Sequence, residues 1–221
     1  MDQVREKPWL AHYDPGVPPE IQVPDIPLWR FLEESARRFP QNVALEFLGK
    51  TLSYQELWGL ARRFAQGLKD LGVRPGDRVA IMLPNSPQFV IAFYGTLLAG
   101  GVGVNVNPLY TPRELRHQLA DAGAETLVIL DHLLPRYLEV EKEVPVKRVV
   151  VTGIKDFLPF PKNLLYPLKA KRDGLPLGFP KREGFHAFAE LLKRPPAEPH
   201  VPDPEDLALL QYTGGTTGLS K

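Results

Sequence analysis

The 221-residue sequence contains no cysteine, almost no net charge and no apolar run long enough to span a membrane. Without cysteine the chain forms no disulfide, holds no zinc through thiolates and uses no thiol nucleophile. Its 27 Lys and Arg against 26 Asp and Glu give a formal charge of +1, which provides no overall attraction to nucleic acid. Residues 1–9 mix charges and lack the apolar segment of a secretory signal, so we expect a cytoplasmic protein.

One stretch, residues 79–112, carries no charged side chain and superficially suggests a transmembrane helix. Pro84 and Pro87 interrupt it first, and Gly100 and Gly101 interrupt it again. The apolar pieces that remain are about 6 and 12 residues long, whereas a bilayer-spanning helix needs about 20. We therefore predict a buried strand, a turn and a buried helix in this stretch.

Apolar strands and amphipathic helices alternate along the middle of the chain. The predicted strands are 79–83, 102–106, 126–130 and 148–152, and the predicted helices between them are 86–99, 112–122 and 131–143. Such alternation requires crossover connections, so the predicted fold class is α/β, with a largely parallel sheet flanked by helices. Before this region we predict a helix over 28–39, a hairpin around Gly49, and a helix that starts at the capping box Ser53–Glu56 and runs to Leu71.

Proline content and pattern divide the chain into four segments. Residues 1–27 contain six prolines and are predicted to be an extended arm. Residues 28–193 form the α/β subdomain, which includes a short helix predicted over 185–193. Residues 194–204 are a proline-rich connector, and residues 205–221 are a strand followed by a loop. His117 and His186, both on predicted helices, are interpreted as packing residues because none of the five histidines has metal-ligand spacing.

Residues 155–182 lose the alternating pattern and are predicted to be an irregular insertion. They carry seven Lys or Arg against two Asp, a net charge of +5, together with four aromatic residues. We hypothesise that this insertion touches a membrane surface; an ordinary surface loop packed on the body is the alternative. The hypothesis uses the apolar residues Phe157, Leu158, Phe160, Leu164, Leu165 and Tyr166, flanked by the basic residues Lys162, Lys169, Lys171 and Arg172.

The last ten residues, YTGGTTGLSK, have the composition of a phosphate-binding loop. Glycines allow the backbone to approach an anion, threonine and serine hydroxyls donate hydrogen bonds, and the terminal lysine supplies positive charge. The spacing differs from that of a Walker A loop, and a tail rich in glycine and threonine is also typical of a solvated linker. The apolar run over 206–212 predicts a buried strand that leads into the loop, which favours a nucleotide site.

This segment resembles the signature loop of the adenylate-forming enzymes, the superfamily of acyl-CoA synthetases, luciferases and peptide-synthetase adenylation domains. Ser220 stands where that family usually has proline. The segments PNSPQF at 84–89 and NVNPLYTPREL at 105–115 are similar to those of bacterial long-chain fatty acyl-CoA ligases. We interpret the second segment as a strand-to-helix turn without a catalytic role, since asparagine and proline build such turns by themselves.

The resemblance implies the N-terminal subdomain of an ATP-dependent long-chain fatty acid:CoA ligase, which uses ATP, Mg²⁺ and CoA. It implies that Thr213 approaches the magnesium, and that no catalytic residue lies in this part of the family's chain. The resemblance further implies that the nucleotide is held by Tyr212, Thr213, Gly214, Gly215, Thr216, Thr217, Gly218, Leu219, Ser220 and Lys221. The alternative is a non-catalytic homologue or fragment that binds lipid, membrane or a partner, and continuation of the coding frame past Lys221 distinguishes the two. The expected location is the cytoplasm, with peripheral contact at the inner face of the membrane.

Overall fold

Seven α-helices and eight strands lie within residues 7–213, the part of the chain that the computed structural model describes. The helices are α1 (Trp29–Arg38), α2 (Tyr54–Asp70), α3 (Pro87–Leu98), α4 (Pro112–Ala122), α5 (Leu134–Val140), α6 (Lys162–Arg172) and α7 (Phe188–Leu191). The strands are β1 (Val43–Phe47), β2 (Lys50–Ser53), β3 (Arg78–Met82), β4 (Val102–Asn105), β5 (Thr126–Leu130), β6 (Arg148–Thr152), β7 (Phe185–Ala187) and β8 (Leu209–Gln211). Short 3₁₀ turns occupy Pro8–His12, Asp131–Leu133 and Ile154–Phe157.

Six of these strands form one sheet in the order β7-β6-β5-β3-β4-β8, and all its neighbouring pairs are parallel. The connections β3 to β4 and β4 to β5 run in opposite directions along the sheet. Right-handed crossovers therefore place α3 on one face and α4 on the other. The helix packing agrees, because α2 lies against α3 while α4 lies against α5. The predicted α/β fold class is confirmed.

The centre of the sheet is the core of the molecule. Every residue of β5 is buried, and residues 79–82 of β3 are completely inaccessible to solvent. Strands covered by helices on both faces read as continuous apolar runs, which explains why residues 79–112 carry no charge. The strand, turn and helix predicted there are present, and no helix within residues 7–213 is long and apolar enough to cross a membrane.

Local sequence signals determine the helix starts as predicted. The hydroxyl of Ser53 accepts a hydrogen bond from the Glu56 backbone N–H at 3.2 Å, and the Glu56 carboxylate accepts one from the Ser53 N–H at 2.8 Å. Hydrogen bonding of the Glu56 carboxylate to Ser53, first to its backbone N–H and second to its side chain, lowers the pKa of Glu56. Thr111 and Glu114 repeat the arrangement at α4, which ends at Gly123 with a φ of 60°. The hairpin β1–β2 also forms as predicted.

The prediction that residues 155–182 are irregular is wrong, because α6 occupies the centre of this segment. Pro167 lies inside this helix, where it removes one backbone donor. The residues around it are mostly leucine, lysine and alanine, which favour helix strongly enough to continue through the proline. The basic and apolar side chains of the insertion are therefore arranged on a helix.

Two other elements also differ from the prediction. Residues 185–193 divide into strand β7 and the short helix α7, because backbone pairing of Phe185–Ala187 with β6 outweighs the helical pattern. His186 thus lies on a strand. The helix predicted over 131–143 begins with a 3₁₀ turn and is α-helical only over Leu134–Val140.

Candidate nucleotide site

The carboxyl ends of parallel strands lie at one edge of the sheet, where open α/β folds bind their ligands. The usual place is the switch point between strands whose connections leave in opposite directions, here β3 and β5. Two buried polar side chains follow these strands in the chain. Gln88 is fully buried and donates its Nε2 to the Gly153 carbonyl at 3.0 Å, and Asp131 is only 4% exposed. At one end of the sheet, the same edge is formed by β4 and β8.

Strand β8 ends at this edge, beside β4. It pairs in parallel with β4, with Asn105 opposite Gln211, and the Nδ2 of Asn105 donates to the Oε1 of Gln211 at 2.8 Å. Tyr212 and the exposed Thr213 follow directly. The strand was predicted to be buried over 206–212, but it spans three residues and is only half-buried, because β4 is its one partner in the described sheet.

Tyr212 is attached to helix α4 at the base of the predicted loop. Its hydroxyl donates a hydrogen bond to the Oδ2 of Asp121 at 2.5 Å. Burial, together with this hydrogen bond and the negative charge of Asp121, raises the pKa of Tyr212 to about 12. The phenol therefore stays protonated and keeps donating to Asp121 throughout the physiological pH range.

Besides the Oε1 of Gln88, two buried side-chain oxygens near β4 accept no hydrogen bond from residues 7–213. They are the Oδ1 of Asn105 and the Oε1 of Gln118, whose Nε2 donates to the Asn105 carbonyl at 2.7 Å. A buried acceptor without a donor is costly, so these oxygens suit an N–H or O–H group. Phosphate oxygens are acceptors too, and their partners must come from the loop instead.

The other predicted nucleotide-binding residues lie outside the described residues. They are Gly214, Gly215, Thr216, Thr217, Gly218, Leu219, Ser220 and Lys221, and their roles stay predictions. Thr213, the predicted magnesium contact, is exposed at the carboxyl edge. Within residues 7–213 no three His, Cys, Asp or Glu side chains gather as a metal site. A single hydroxyl still fits Mg²⁺, which is often held by one or two protein oxygens, water and substrate phosphates.

The segment over 105–115 has the turn geometry that its sequence predicts. The Oδ1 of Asn107 accepts a hydrogen bond from the Leu109 N–H at 2.9 Å. The Arg136 guanidinium donates to the carbonyls of Pro108 at 2.6 Å and Tyr110 at 3.0 Å. These hydrogen bonds hold the connection between β4 and α4 in place next to β8.

Sequence reasoning missed three residues that support the base of the loop: Asn105, Gln118 and Asp121. Gln118 did leave a signal, since it is a polar residue on the buried face of α4 beside Leu115 and Leu119. Asp121 left none. Its relation to Tyr212 arises only because α4 packs beside the end of β8.

The protein is a parallel α/β subdomain whose edge strand β8 leads into a segment rich in glycine and threonine. Residues 32–221 match the family model of the AMP-binding enzymes. The chain belongs to the AMP-binding enzyme family.

Individual relatives confirm the resemblance to bacterial long-chain fatty acyl-CoA ligases. The chain is 43% identical over 220 residues to a long-chain-fatty-acid–CoA ligase of Bacillus subtilis (strain 168). It is 38% identical over 226 residues to one of Escherichia coli O157:H7. Each match covers 98% of this chain and 39% of the relative, so the chain spans about two fifths of the length of these relatives.

Solved structures of related enzymes have the same fold. The apo structure of MbtA from Mycobacterium smegmatis superposes with a TM-score of 0.72 at 32% identity, covering 90% of this chain and 33% of that one. A long-chain-fatty-acid–CoA ligase of Archaeoglobus fulgidus superposes with a TM-score of 0.70 at 26% identity, covering 90% and 37%.

Proposed function

We propose that this chain is the N-terminal part of an ATP-dependent long-chain fatty acid:CoA ligase. The observation that carries the proposal is the position of β8, whose end brings Tyr212 and Thr213 to the ligand edge of the sheet at the start of YTGGTTGLSK. The names of the Bacillus and Escherichia relatives supply the substrate class.

In the proposed reaction, a fatty acid carboxylate oxygen attacks the α-phosphorus of ATP. The bond from this phosphorus to the bridging oxygen breaks, and pyrophosphate leaves with the electron pair as an acyl-adenylate forms. The thiol of CoA then attacks the acyl carbon and displaces AMP, giving the thioester. Mg²⁺ bound to the nucleotide would neutralise charge on the phosphates.

The residues of this chain act mainly through electrostatics. Negative charge moves onto the leaving pyrophosphate, so N–H groups, hydroxyls and a lysine placed around it stabilise the transition state more than the ground state. The proposed donors are residues 212–221, with Lys221 as the positive charge and Thr213 beside the magnesium. The hydrogen bonds of Tyr212 and Gln211 hold the first residues of that segment in position.

Lys221 provides the test. The whole protein should exchange pyrophosphate into ATP only when a long-chain fatty acid is present, and Lys221→Ala should slow this exchange about 30- to 1000-fold. Lys142→Ala, an exposed lysine in the connection from α5 to β6, is the matched control and should leave the rate unchanged. A whole protein that activates no carboxylic acid of any chain length would overturn the proposal.

The alternative of a non-catalytic module needs a separate assay. Residues 1–221 alone should release no AMP in response to fatty acid, because positioning of all substrates requires residues that follow the loop in the family. Fatty-acid-dependent AMP release by residues 1–221, above the level of their Lys221→Ala variant, would show that those residues are dispensable. We also propose that the enzyme works in the cytoplasm, where ATP and CoA are available.

A further inference from the structure

The outer face of α6 is unusually apolar for a helix that lies on the surface. Leu164, Leu165 and Leu168 are 65%, 57% and 69% exposed, and Phe160, just before the helix, is 79% exposed. Leu164 and Leu168 lie one turn apart and Leu165 lies next to them, so the three leucines form one stripe. Single exposed apolar residues are ordinary on protein surfaces, but a contiguous group indicates a contact surface.

The opposite face of the helix packs on the body of the protein. Ala170 is buried, and Asn163, Tyr166 and Pro167 are half-buried. Burial raises the pKa of the Tyr166 phenol, as expected for the inner side of the helix. Leucines therefore lie on the side that faces away from the core, which reverses the usual arrangement of a surface helix.

The structure also corrects the set of residues in the membrane hypothesis. Phe157 and Leu158 are buried, so they are unavailable for contact. The Nζ of Lys50 lies over the Phe157 ring, 5.3 Å from its centre. The structure adds Leu168, which the hypothesis did not include. We define the α6 patch as Phe160, Leu164, Leu165 and Leu168 with Lys169, Lys171 and Arg172.

The charged residues within α6 are all positive. Lys169 and Lys171 form no ion pair with any carboxylate within residues 7–213, and both are exposed. The pairing of Arg172 with Asp173, at 3.5 Å, is exposed to solvent and therefore weak. The other acid of the insertion, Asp156, accepts hydrogen bonds from Thr152 and Gly153 at the end of β6 and does not neutralise the patch.

A second element extends the surface. The Nζ of Lys162 donates to the carbonyl of Leu48 at 2.8 Å, which places the turn of the β1–β2 hairpin beside the start of α6. Leu48 itself is exposed and sits at this turn. The hairpin thus adds one more apolar side chain next to the patch, and Lys162 has a structural role that makes it unsuitable for mutation as a simple surface charge.

We propose that the α6 patch is a docking surface for the anionic face of a lipid bilayer. A bilayer that contains acidic lipids offers negative headgroups for the lysines and arginine and an apolar interior for the leucines and Phe160. The positive charge favours this partner over a neutral apolar surface of another protein. This inference goes beyond the proposed ligase activity and rests only on the patch, so either can fail without the other.

Co-sedimentation of the protein with phospholipid vesicles tests the charges. Binding to vesicles that contain phosphatidylglycerol should exceed binding to pure phosphatidylcholine and should fall at high salt. The triple variant Lys169→Gln, Lys171→Gln, Arg172→Gln should bind on the order of 100-fold more weakly, since each basic residue near an anionic surface contributes about fivefold. The control triple Arg37→Gln, Arg74→Gln, Arg113→Gln removes the same charge from exposed positions on other elements and should bind within about threefold of wild type.

The leucines are tested independently. Leu164→Ser with Leu168→Ser keeps every charge and should weaken vesicle binding by about tenfold or more. Wild-type protein that fails to bind anionic vesicles, or α6 variants that bind as well as the control triple, would overturn the proposal. Capture of an acidic protein without any vesicle binding would also overturn it in favour of a protein partner.

The absence of cysteine permits a direct measurement of insertion. A single Leu168→Cys substitution can be labelled with an environment-sensitive fluorophore without any competing thiol. Addition of anionic vesicles should shift its emission to the blue. Leu109→Cys, at an equally apolar and 81% exposed position between β4 and α4, is the control and should show no shift. Equal shifts at both positions, or no shift at Leu168→Cys, contradict insertion of α6.

Discussion

At the scale of single residues, the contact between Tyr212 and Asp121 connects the described fold to the predicted phosphate loop. Tyr212 follows β8 and Asp121 lies near the end of α4, so their hydrogen bond joins two elements at the ligand edge. A strand that is paired on one side needs such an attachment to hold the loop at a defined position. We therefore regard both as positioning residues for the proposed site.

The raised pKa of Tyr212 makes this contact measurable. Asp121→Asn removes the negative charge and should shift the pKa of Tyr212 down from about 12 toward the ordinary value near 10, leaving the contribution of burial. Absorbance titration of the phenolate, taken as the difference from a Tyr212→Phe variant, isolates this tyrosine from the other six. Tyr137, whose pKa burial also raises, should not change. An unchanged titration of Tyr212 in Asp121→Asn would show that the two groups do not interact in solution.

At the scale of elements, helix α2 is held by close approach at one of its glycines. A Cβ added at Gly67 would lie 2.5 Å from the Leu191 Cβ and 2.9 Å from its Cα in α7. A Cβ added at Gly59, in the same helix, would meet no heavy atom within 4 Å. Packing against α7 therefore leaves no space for a side chain at Gly67, whereas Gly59 has space for one.

A glycine-to-alanine substitution should therefore have opposite effects on the free energy of unfolding at these two positions of α2. Gly67→Ala should lower the free energy of unfolding by roughly 1–3 kcal/mol, because α7 must move away. Gly59→Ala should raise it by up to about 1 kcal/mol, since alanine favours helix over glycine. Urea denaturation of both variants measures the two changes. If both variants shift stability in the same direction, the packing of α2 on α7 is not as described.

At the scale of the whole molecule, the burial of His186 in the edge strand β7 affects stability in acid. Burial, and secondly the positive charge of Arg148, lower the pKa of His186 below its ordinary value of 6.5. The unfolded chain therefore takes up a proton at a higher pH than the folded chain does. The stabilising effect of a neutral His186 is complete above about pH 6.5 and is lost as the pH falls through the folded-state pKa.

A His186→Gln variant should lack this pH-dependent contribution to stability. The unfolding free energy of the wild type should fall more steeply between about pH 7 and pH 5 than that of the variant, which has nothing to protonate at this position. Urea denaturation at several pH values provides the comparison. Parallel curves for the two proteins would mean that His186 has the same pKa in the folded and unfolded states.

Local sequence patterns were enough to predict most of the parallel sheet and the helix starts. Strands β5 and β6 and helix α4 have their predicted boundaries, because buried parallel strands and capping boxes such as Thr111–Glu114 are local patterns that neighbouring residues decide. The phosphate-loop composition and the family resemblance were also present in the sequence alone. They located the candidate site at 212–221 without locating what supports it.

The remaining features depend on how distant parts of the chain pack together. Residues 185–187 form a strand because β6 offers an unpaired edge, which no local pattern reports. Asp121 supports Tyr212, and Gln88 reaches the Gly153 carbonyl, only because the strand order β6-β5-β3-β4-β8 brings distant segments together. The outward direction of the α6 leucines likewise depends on which side of the helix the body covers. Each of these depends on contacts between residues far apart in the chain, and periodicity and composition describe only near neighbours.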